Sequence, residues 1–206
     1  MKYLFALTVL TAILSAVACT ANQLAVMSGY STADQMTMMG YQPDYARSPL
    51  LDSKPVWRTV VLPPVSSSPA NLTDASGLQD YAGMSLMRTS RFSLVDRSVI
   101  DQILEEQEFS YSGVADPSTA VELGRLSGAE AVMTINIASV THDSFWDDEP
   151  AQRDALLHVK IISVETSEVL YTSSGRGSDF DGADGALRDA VLMALMGINN
   201  QTGSMR

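Results

Sequence analysis

The segment that most constrains the fold is residues 92–133, in which two predicted strands enclose two predicted helices. Residues 92–95 form a short apolar run that is typical of a buried strand. Apolar residues at helical spacing follow, and either Asp96 or Ser98 is suited to cap the start of that helix. The segment lacks catalytic residue types where an enzyme would need them, so it indicates a recognition scaffold rather than an active site.

The second helix of this segment has well-marked ends. Asp116 is a favourable N-cap residue, and Pro117 is a favourable first residue of a helix. Gly128 lies where a left-handed residue would end the helix, and residues 129–139 return to the pattern of a strand. The alternation predicts a sheet with helices packed on it.

The remainder of the chain continues this alternation. Further predicted elements are a strand at residues 56–62, a helix at 73–90, and strands at 132–140, 155–164 and 168–174. The last helix has the spacing of a helix packed on a sheet, with apolar Leu187, Ala190, Val191, Ala194, Leu195 and Ile198. This order predicts a single α/β domain with a mixed sheet of about five strands covered by about four helices.

The strand at residues 155–164 has two different faces. One face is apolar and consists of Leu157, Val159 and Ile161. The other face is mixed and consists of Leu156, His158, Lys160 and Ile162. The mixed face is either covered by a helix or a partner surface, and we favour cover because lysine can bury its stem while its head stays in water.

The order of short motifs along this region resembles the CsgG family of bacterial envelope lipoproteins. The matching motifs are Asp96-Arg97, residues 103–107, Ser112-Gly113, residues 116–120 and residues 128–132. The family includes the curli-secretion pore subunit, and its fold is similar to that of the LpoB-type lipoproteins that activate penicillin-binding proteins. The resemblance covers roughly residues 57–197 and implies an envelope scaffold of the same fold.

Two departures from the family limit this implication. Ser167 stands where such hairpins usually carry glycine, which is a minor change. The long insertions that would build a pore are missing, and the connections at residues 141–154 and 172–184 lack the alternation of a membrane hairpin. We therefore expect an assembly component without a transmembrane pore of its own.

The amino terminus predicts export. Lys2 and the apolar run at residues 4–18 form a secretory signal peptide that is too short to span a bilayer. The predicted organisation is a signal peptide at residues 1–18 and a lipidated flexible tether at 19–55. The α/β domain at residues 56–200 and a disordered tail at 201–206 complete it.

Cys19 is the predicted lipidation site. It is the single cysteine of the chain, so it cannot form an intramolecular disulfide. Residues 16–19 match a lipoprotein box, but the same bond also suits ordinary signal peptidase, so the alternative is that Cys19 merely follows the cut. By resemblance to Gram-negative lipoproteins, Thr20 at the next position favours the periplasmic face of the outer membrane, with a palmitate-type anchor.

The charge balance excludes nucleic acid as a partner. The chain has 13 basic and 24 acidic residues, which gives a net charge of −11. Phosphate backbones are bound by clusters of lysine and arginine that this sequence lacks. Attachment to the membrane should therefore depend on the lipid anchor.

Candidate chemistry is sparse. His142 and His158 have no metal-ligand or triad spacing, so we predict no catalytic residue, no metal and no cofactor. Residues 142–149 form an acidic loop for which cation binding stays open, and its Trp146 is a possible partner contact. Residues 175–185 fail the P-loop and EF-hand patterns and predict a flexible hairpin exit, with Asp184 as cap of the last helix.

Three functions follow from these observations. The first is a non-enzymatic, outer-membrane-anchored periplasmic lipoprotein that docks on or assembles a cell-envelope machine, in secretion, peptidoglycan synthesis or flagellar assembly. It is compatible with a homo-oligomer. The alternative is an LpoB-like activator of a peptidoglycan synthase, and an enzyme or a metal-binding protein ranks last.

Overall fold

The computed structural model describes residues 44–75, 77–106, 116–141, 152–180 and 182–199. The strands are β1 (Asp44–Arg47), β2 (Trp57–Val61), β3 (Val65–Ser66), β4 (Phe92–Leu94), β5 (Ala131–Val140), β6 (Arg153–Ser163) and β7 (Val169–Asp179). The α-helices are α1 (Leu78–Arg88), α2 (Arg97–Glu106), α3 (Pro117–Leu126) and α4 (Ala183–Leu195). Short 3-10 helices occupy Pro49–Ser53, Pro69–Ala75 and Met196–Ile198.

The described strands form one mixed sheet. Its order is β1-β7-β6-β5-β2-β4, and β3 pairs with β5 beside this path. β2 runs parallel to β4 and β5, whereas the pairs β5–β6, β6–β7 and β7–β1 are antiparallel. The predicted α/β class and mixed sheet are therefore confirmed, but the sheet has seven strands where about five were expected.

The larger hydrophobic core lies between the sheet and helices α1 and α4. The alternating apolar positions of β6 point into it, and Leu157, Val159 and Ile161 are fully buried as predicted. The apolar stripe of α4 faces them, and Leu187, Ala190 and others of the predicted set are buried. The pattern of period two on the strand and period 3.6 on the helix thus defines both sides of this core.

A smaller core lies on the opposite face of the sheet, beneath α2 and α3. Ile100 and Leu104 of α2 and Leu123 of α3 pack there against apolar residues of β2 and β5. The predicted ends of α3 are confirmed, since the Asp116 side chain accepts a hydrogen bond from Ser118 N at 2.9 Å. Gly128 follows the helix with a φ of +67°, a conformation that glycine adopts without strain.

Helix α4 lies directly against the backbone of β7. A side chain at Gly175 would meet atoms of Ala190 and Ala194 at 2.9 Å or less, and one at Gly177 would meet Asp189 at 2.8 Å and other α4 atoms more closely. Tyr171 of the same strand is fully buried and donates a hydrogen bond to Ala194 O at 2.6 Å. Burial raises the pKa of Tyr171 to about 12.

These contacts correct the prediction for residues 175–185. β7 continues to Asp179, so the glycines serve close packing of a helix on a strand rather than a flexible exit. Gly182 occupies the N-cap position of α4 without a side-chain cap. Asp184 does not cap the helix; it lies in the first turn and pairs with Arg188 at 3.0 Å.

The ordered domain begins earlier than predicted. β1 pairs with β7, and the Tyr45 ring stacks on Tyr171 with centroids 6.0 Å apart. Leu51 is fully buried, and its carbonyl accepts a hydrogen bond from the Trp57 indole at 3.0 Å. The predicted start of the α/β domain at residue 56 is therefore wrong. Residues 44–55 are held by tertiary contacts, and their sequence has no periodic pattern that would predict a strand or a helix. The rest of the predicted tether, the signal peptide and the tail at 201–206 lie outside the described residues.

Candidate functional site

Strands β5, β6 and β7 bury one face in the larger core and leave part of the other face exposed. We call the exposed surface the open face. The register and the alternating burial assign to it Thr134, Asn136, Ser139, Asp154, Leu156, His158, Lys160, Thr172, Ser174, Arg176 and Ser178. Hydroxyl, amide and cationic groups predominate, which distinguishes this surface from the apolar face behind it.

The described helices leave the open face exposed because the layer that they form on this side is short. α3 has 10 residues, about 15 Å of helix, and it packs on β5 and the end of β6. Ile162 lies under this layer and is only 3% exposed, whereas His158 and Lys160 are exposed. The prediction that a helix covers the mixed face is therefore correct at Ile162 and wrong at His158 and Lys160.

A hollow of about 260 Å³ marks the point at which the helix cover ends. It is lined by Val65, Pro117, Thr134, Asn136, His158, Lys160 and Ile162. Pro117 is the first residue of α3, and Ile162 supplies the apolar floor. His158 Nδ1 lies 2.9 Å from Ser174 Oγ, so a cross-strand hydrogen bond holds the imidazole on the sheet. The hollow therefore offers polar groups at its rim and an apolar surface within.

The cations of the open face differ from several others in the molecule. Lys54 pairs with Glu130 at 2.8 Å, and this hydrogen bond lowers the pKa of the Glu130 carboxyl. Among the residues that the structure describes, Lys160 and Arg176 contact no carboxylate within ion-pair distance. Asp154 is the acidic residue of the open face, and it accepts a hydrogen bond from Ser178 at 2.6 Å.

A separate groove of about 410 Å³ lies between α1, β4 and the start of α2. Gln79 donates a buried hydrogen bond there to the carbonyl of Val61, the last residue of β2, at 2.8 Å. Asp80 pairs with Arg97 at 3.2 Å, and Asp96 accepts a hydrogen bond from Ser98 N at 2.8 Å, at the start of α2. The polar groups of this groove therefore serve the packing of its walls.

The described part of the chain lacks a cluster of three or more metal-ligating side chains. None of the helices described combines the length and the apolar content that a membrane span requires. The ring of His158 is exposed on the sheet and hydrogen-bonds to the hydroxyl of Ser174. A catalytic histidine would instead lie in a deep pocket, oriented by a carboxylate.

The residues predicted for lipidation and for partner contact, Cys19 and Trp146, lie outside the described residues, as does His142. The structure forms the open face, of which the sequence predicts the residues of β6 but not those of β7. The sequence does not predict Arg176 on this surface, because residues 175–185 are expected to form a loop. Ser174 ends the predicted strand at 168–174, but the sequence pattern assigns no surface to it. The signal that would have found them is the alternation of small or apolar inward positions with polar outward positions along β7.

Comparison with known proteins gives the family context. Residues 57–143 match the model of the family described as "Curli production assembly/transport component CsgG". The resemblance to the CsgG family is confirmed. The CsgG-like segment comprises β2 to β5 and helices α1 to α3, and β6, β7 and α4 follow it. None of the curated protein sequences matches the chain.

Solved structures show the same fold. The PelC dodecamer from Paraburkholderia phytofirmans matches with a TM-score of 0.53 and 10% identity, over 78% of this chain and 98% of that chain. Lipoprotein GNA1162 from Neisseria meningitidis matches with a TM-score of 0.50 and 14% identity, over 60% of this chain and 83% of that chain. The LpoB C-terminal domain from Salmonella enterica has a TM-score of 0.43 and 14% identity, over 72% of this chain and 95% of that chain.

Proposed function

We propose that the protein is a non-enzymatic lipoprotein, anchored at the periplasmic face of the outer membrane, that docks on or helps assemble a cell-envelope machine. The observation that carries the proposal is the open face, on which His158, Lys160 and Arg176 stand exposed on a rigid sheet. A site on paired strands holds its side chains in fixed positions, as a protein-recognition surface requires.

The CsgG-like segment and the fold support this proposal at the level of the family. The matched family is that of an assembly and transport component, and two structures of similar fold are the PelC dodecamer and lipoprotein GNA1162. Cys19 would supply the lipid anchor, and residues 20–43 would join it to β1. Assembly into a homo-oligomer is part of the proposal. The LpoB-like activator remains the alternative function of the same scaffold.

Two experiments in cells test the two halves of the proposal. Metabolic labelling with a palmitate analogue should mark the wild-type protein and leave Cys19→Ala unlabelled, and membrane fractionation should place the labelled protein with the outer membrane. Unlabelled wild-type protein would refute the lipid anchor.

The docking half is tested by a photocrosslinking amino acid placed at Ser174, in the centre of the open face. The matched control places the same amino acid at Glu122, an exposed position of α3 away from this face. We expect a discrete crosslinked envelope protein from position 174 and none from position 122. Equal crosslinking from both positions, or none from position 174, would refute docking through the open face.

A further inference from the structure

The open face carries two cations at a defined separation, and neither forms an ion pair with another described residue. Lys160 on β6 is opposite Thr134 of β5 and Thr172 of β7. Arg176 on β7 is opposite Leu156 of β6. These cross-strand neighbours are hydroxyl or apolar groups, so neither charge is neutralised by its row of the sheet.

The strand geometry sets the distance between the two charges. Lys160 and the row of Arg176 are separated by four residues along β6, which is about 13 Å at about 3.3 Å per residue. β6 and β7 are about 4.8 Å apart in the perpendicular direction, so the Cα atoms of Lys160 and Arg176 are roughly 14 Å apart. The row of His158 and Ser174 lies between them, and the half-buried Leu156 lies directly across from Arg176.

Asp154 and Asp44 are described acidic residues near this face, and neither forms an ion pair with Lys160 or Arg176. Asp154 lies on the far side of Arg176 and is hydrogen-bonded to Ser178 and, at 3.2 Å, to Gln152. Asp44 of β1 lies opposite Ser174 at the edge of the sheet. The chain as a whole has a net charge of −11, so an acidic partner is repelled by most of the molecule and meets attraction at Lys160 and Arg176.

We propose that the open face binds an acidic segment of a partner protein, which places two carboxylates about 13 Å apart on Lys160 and Arg176 and an apolar side chain between them, over His158 and beside Leu156. The proposal rests on the docking function proposed above and states the chemistry of the partner. Charged pairs at both ends would fix the register of the segment, and the apolar contact between them would exclude water. Lys160 and Arg176 lie on β6 and β7, outside the CsgG-like segment, so the proposed charge contacts are not taken from the family match.

A protein partner fits these groups better than a membrane or a second copy of the chain. Anionic lipid surfaces are bound by clusters of about four to eight basic residues, and this face carries Lys160 and Arg176, roughly 14 Å apart. A second copy would bring its own net charge of −11 against a chain of equal charge. Both occupants are tested directly below.

The probe is a terminally blocked peptide with the core Glu-Thr-Leu-Thr-Glu, in which an extended chain places the first glutamate, the leucine and the last glutamate on one face. A Lys-Thr-Leu-Thr-Lys peptide is the charge-reversed control. Chemical-shift mapping by NMR on the full chain should show the glutamate peptide perturbing amides of β6 and β7, with no comparable effect of the lysine peptide. Binding should weaken as salt rises.

The decisive variant is K160E/R176E, which should weaken binding of the glutamate peptide at least roughly tenfold. The matched control is R88E/R125E, which makes the same change in charge at two exposed arginines of α1 and α3 and should bind like the wild type. Circular dichroism checks that both variants fold. If K160E/R176E does not fold, K160Q/R176Q, which removes the two charges without reversing them, takes its place.

Other outcomes overturn the proposal. Equal loss of binding in R88E/R125E would show that added overall repulsion, and not contact with Lys160 and Arg176, causes the loss. Wild-type binding to phosphatidylglycerol vesicles that is lost in K160E/R176E would assign the face to a membrane, and self-association lost in the same variant would assign it to a second copy. A peptide that fails to bind while the crosslink from position 174 forms in cells refutes the acidic partner and leaves the docking function standing.

Discussion

Replacing Gly175 by alanine tests whether α4 is seated on β7 as described. If residues 175–185 were a flexible exit, alanine would stabilise the chain by about 0.5–1 kcal/mol, since glycine loses more conformational entropy on folding. In the structure the added methyl group would lie 2.9 Å from the carbonyl carbon of Ala190 and 2.9 Å from Cβ of Ala194, and closer to Ala190 O. The two descriptions of this segment therefore predict effects of opposite sign.

The magnitude follows from the contact distances. Carbon atoms in packed interiors lie about 3.5–4.0 Å apart, so α4 must move away by about 1 Å or β7 must bend. A gap of that size forfeits a quarter to a half of the dispersion energy of the contacts across it. Leu187, Val191 and Leu195 of α4 are buried in that interface. We expect a loss of about 3 kcal/mol in the free energy of unfolding, at the upper end for overpacked cores.

Urea-induced unfolding followed by far-UV circular dichroism measures this loss. Gly128→Ala is the matched control, because nothing lies within 4 Å of the added methyl group and only the left-handed φ of +67° opposes it. That control should lose roughly 1–2 kcal/mol. A Gly175→Ala protein as stable as the wild type, or more stable, would refute the close packing of α4 on β7.

Three further predictions concern single interactions. Gln79→Ala leaves the buried carbonyl of Val61 without its donor and should cost about 1–3 kcal/mol in urea unfolding, an outcome that an unchanged midpoint would contradict. Tyr171→Phe should cost about 1 kcal/mol at pH 8 through the lost hydrogen bond to Ala194. Because the folded pKa of Tyr171 is raised to about 12, its contribution is complete below about pH 10 and lost as the pH rises through 12, so the two proteins should converge there in stability. Asp116→Ala should lower the urea midpoint at pH 7. Hydrogen bonds from Ser118 lower the folded pKa of Asp116, so the difference from the wild type should shrink as the pH falls below about 4, and a difference that persists at pH 2 would contradict the cap.

Local signals predicted most elements of the fold. The cap at Asp116, the left-handed Gly128 and the apolar stripe of α4 depend on a few neighbouring residues, and the structure confirms each of them. The same holds for the buried alternation of β6. Such signals are readable because capping geometry and side-chain periodicity are properties of the local backbone.

Sequence patterns do not predict the elements that are stabilised by contacts with distant parts of the chain. β1 has four residues and no periodic pattern, and its pairing with β7 joins segments more than 120 positions apart. The glycines of β7 are ambiguous in sequence, since a turn and a close helix contact both require a missing side chain. Only the position of α4 shows which requirement applies at Gly175.

The candidate site shows the same division. The sequence alone determined that the face of β6 carrying His158 and Lys160 is mixed, and that the chain has a net charge of −11. The tertiary structure decided that this face is left uncovered and that Arg176 joins Lys160 on it. The reason is physical: periodicity assigns a side chain to one face of its own strand. Strand register and the length of the packed helix decide which faces adjoin and which are exposed to solvent.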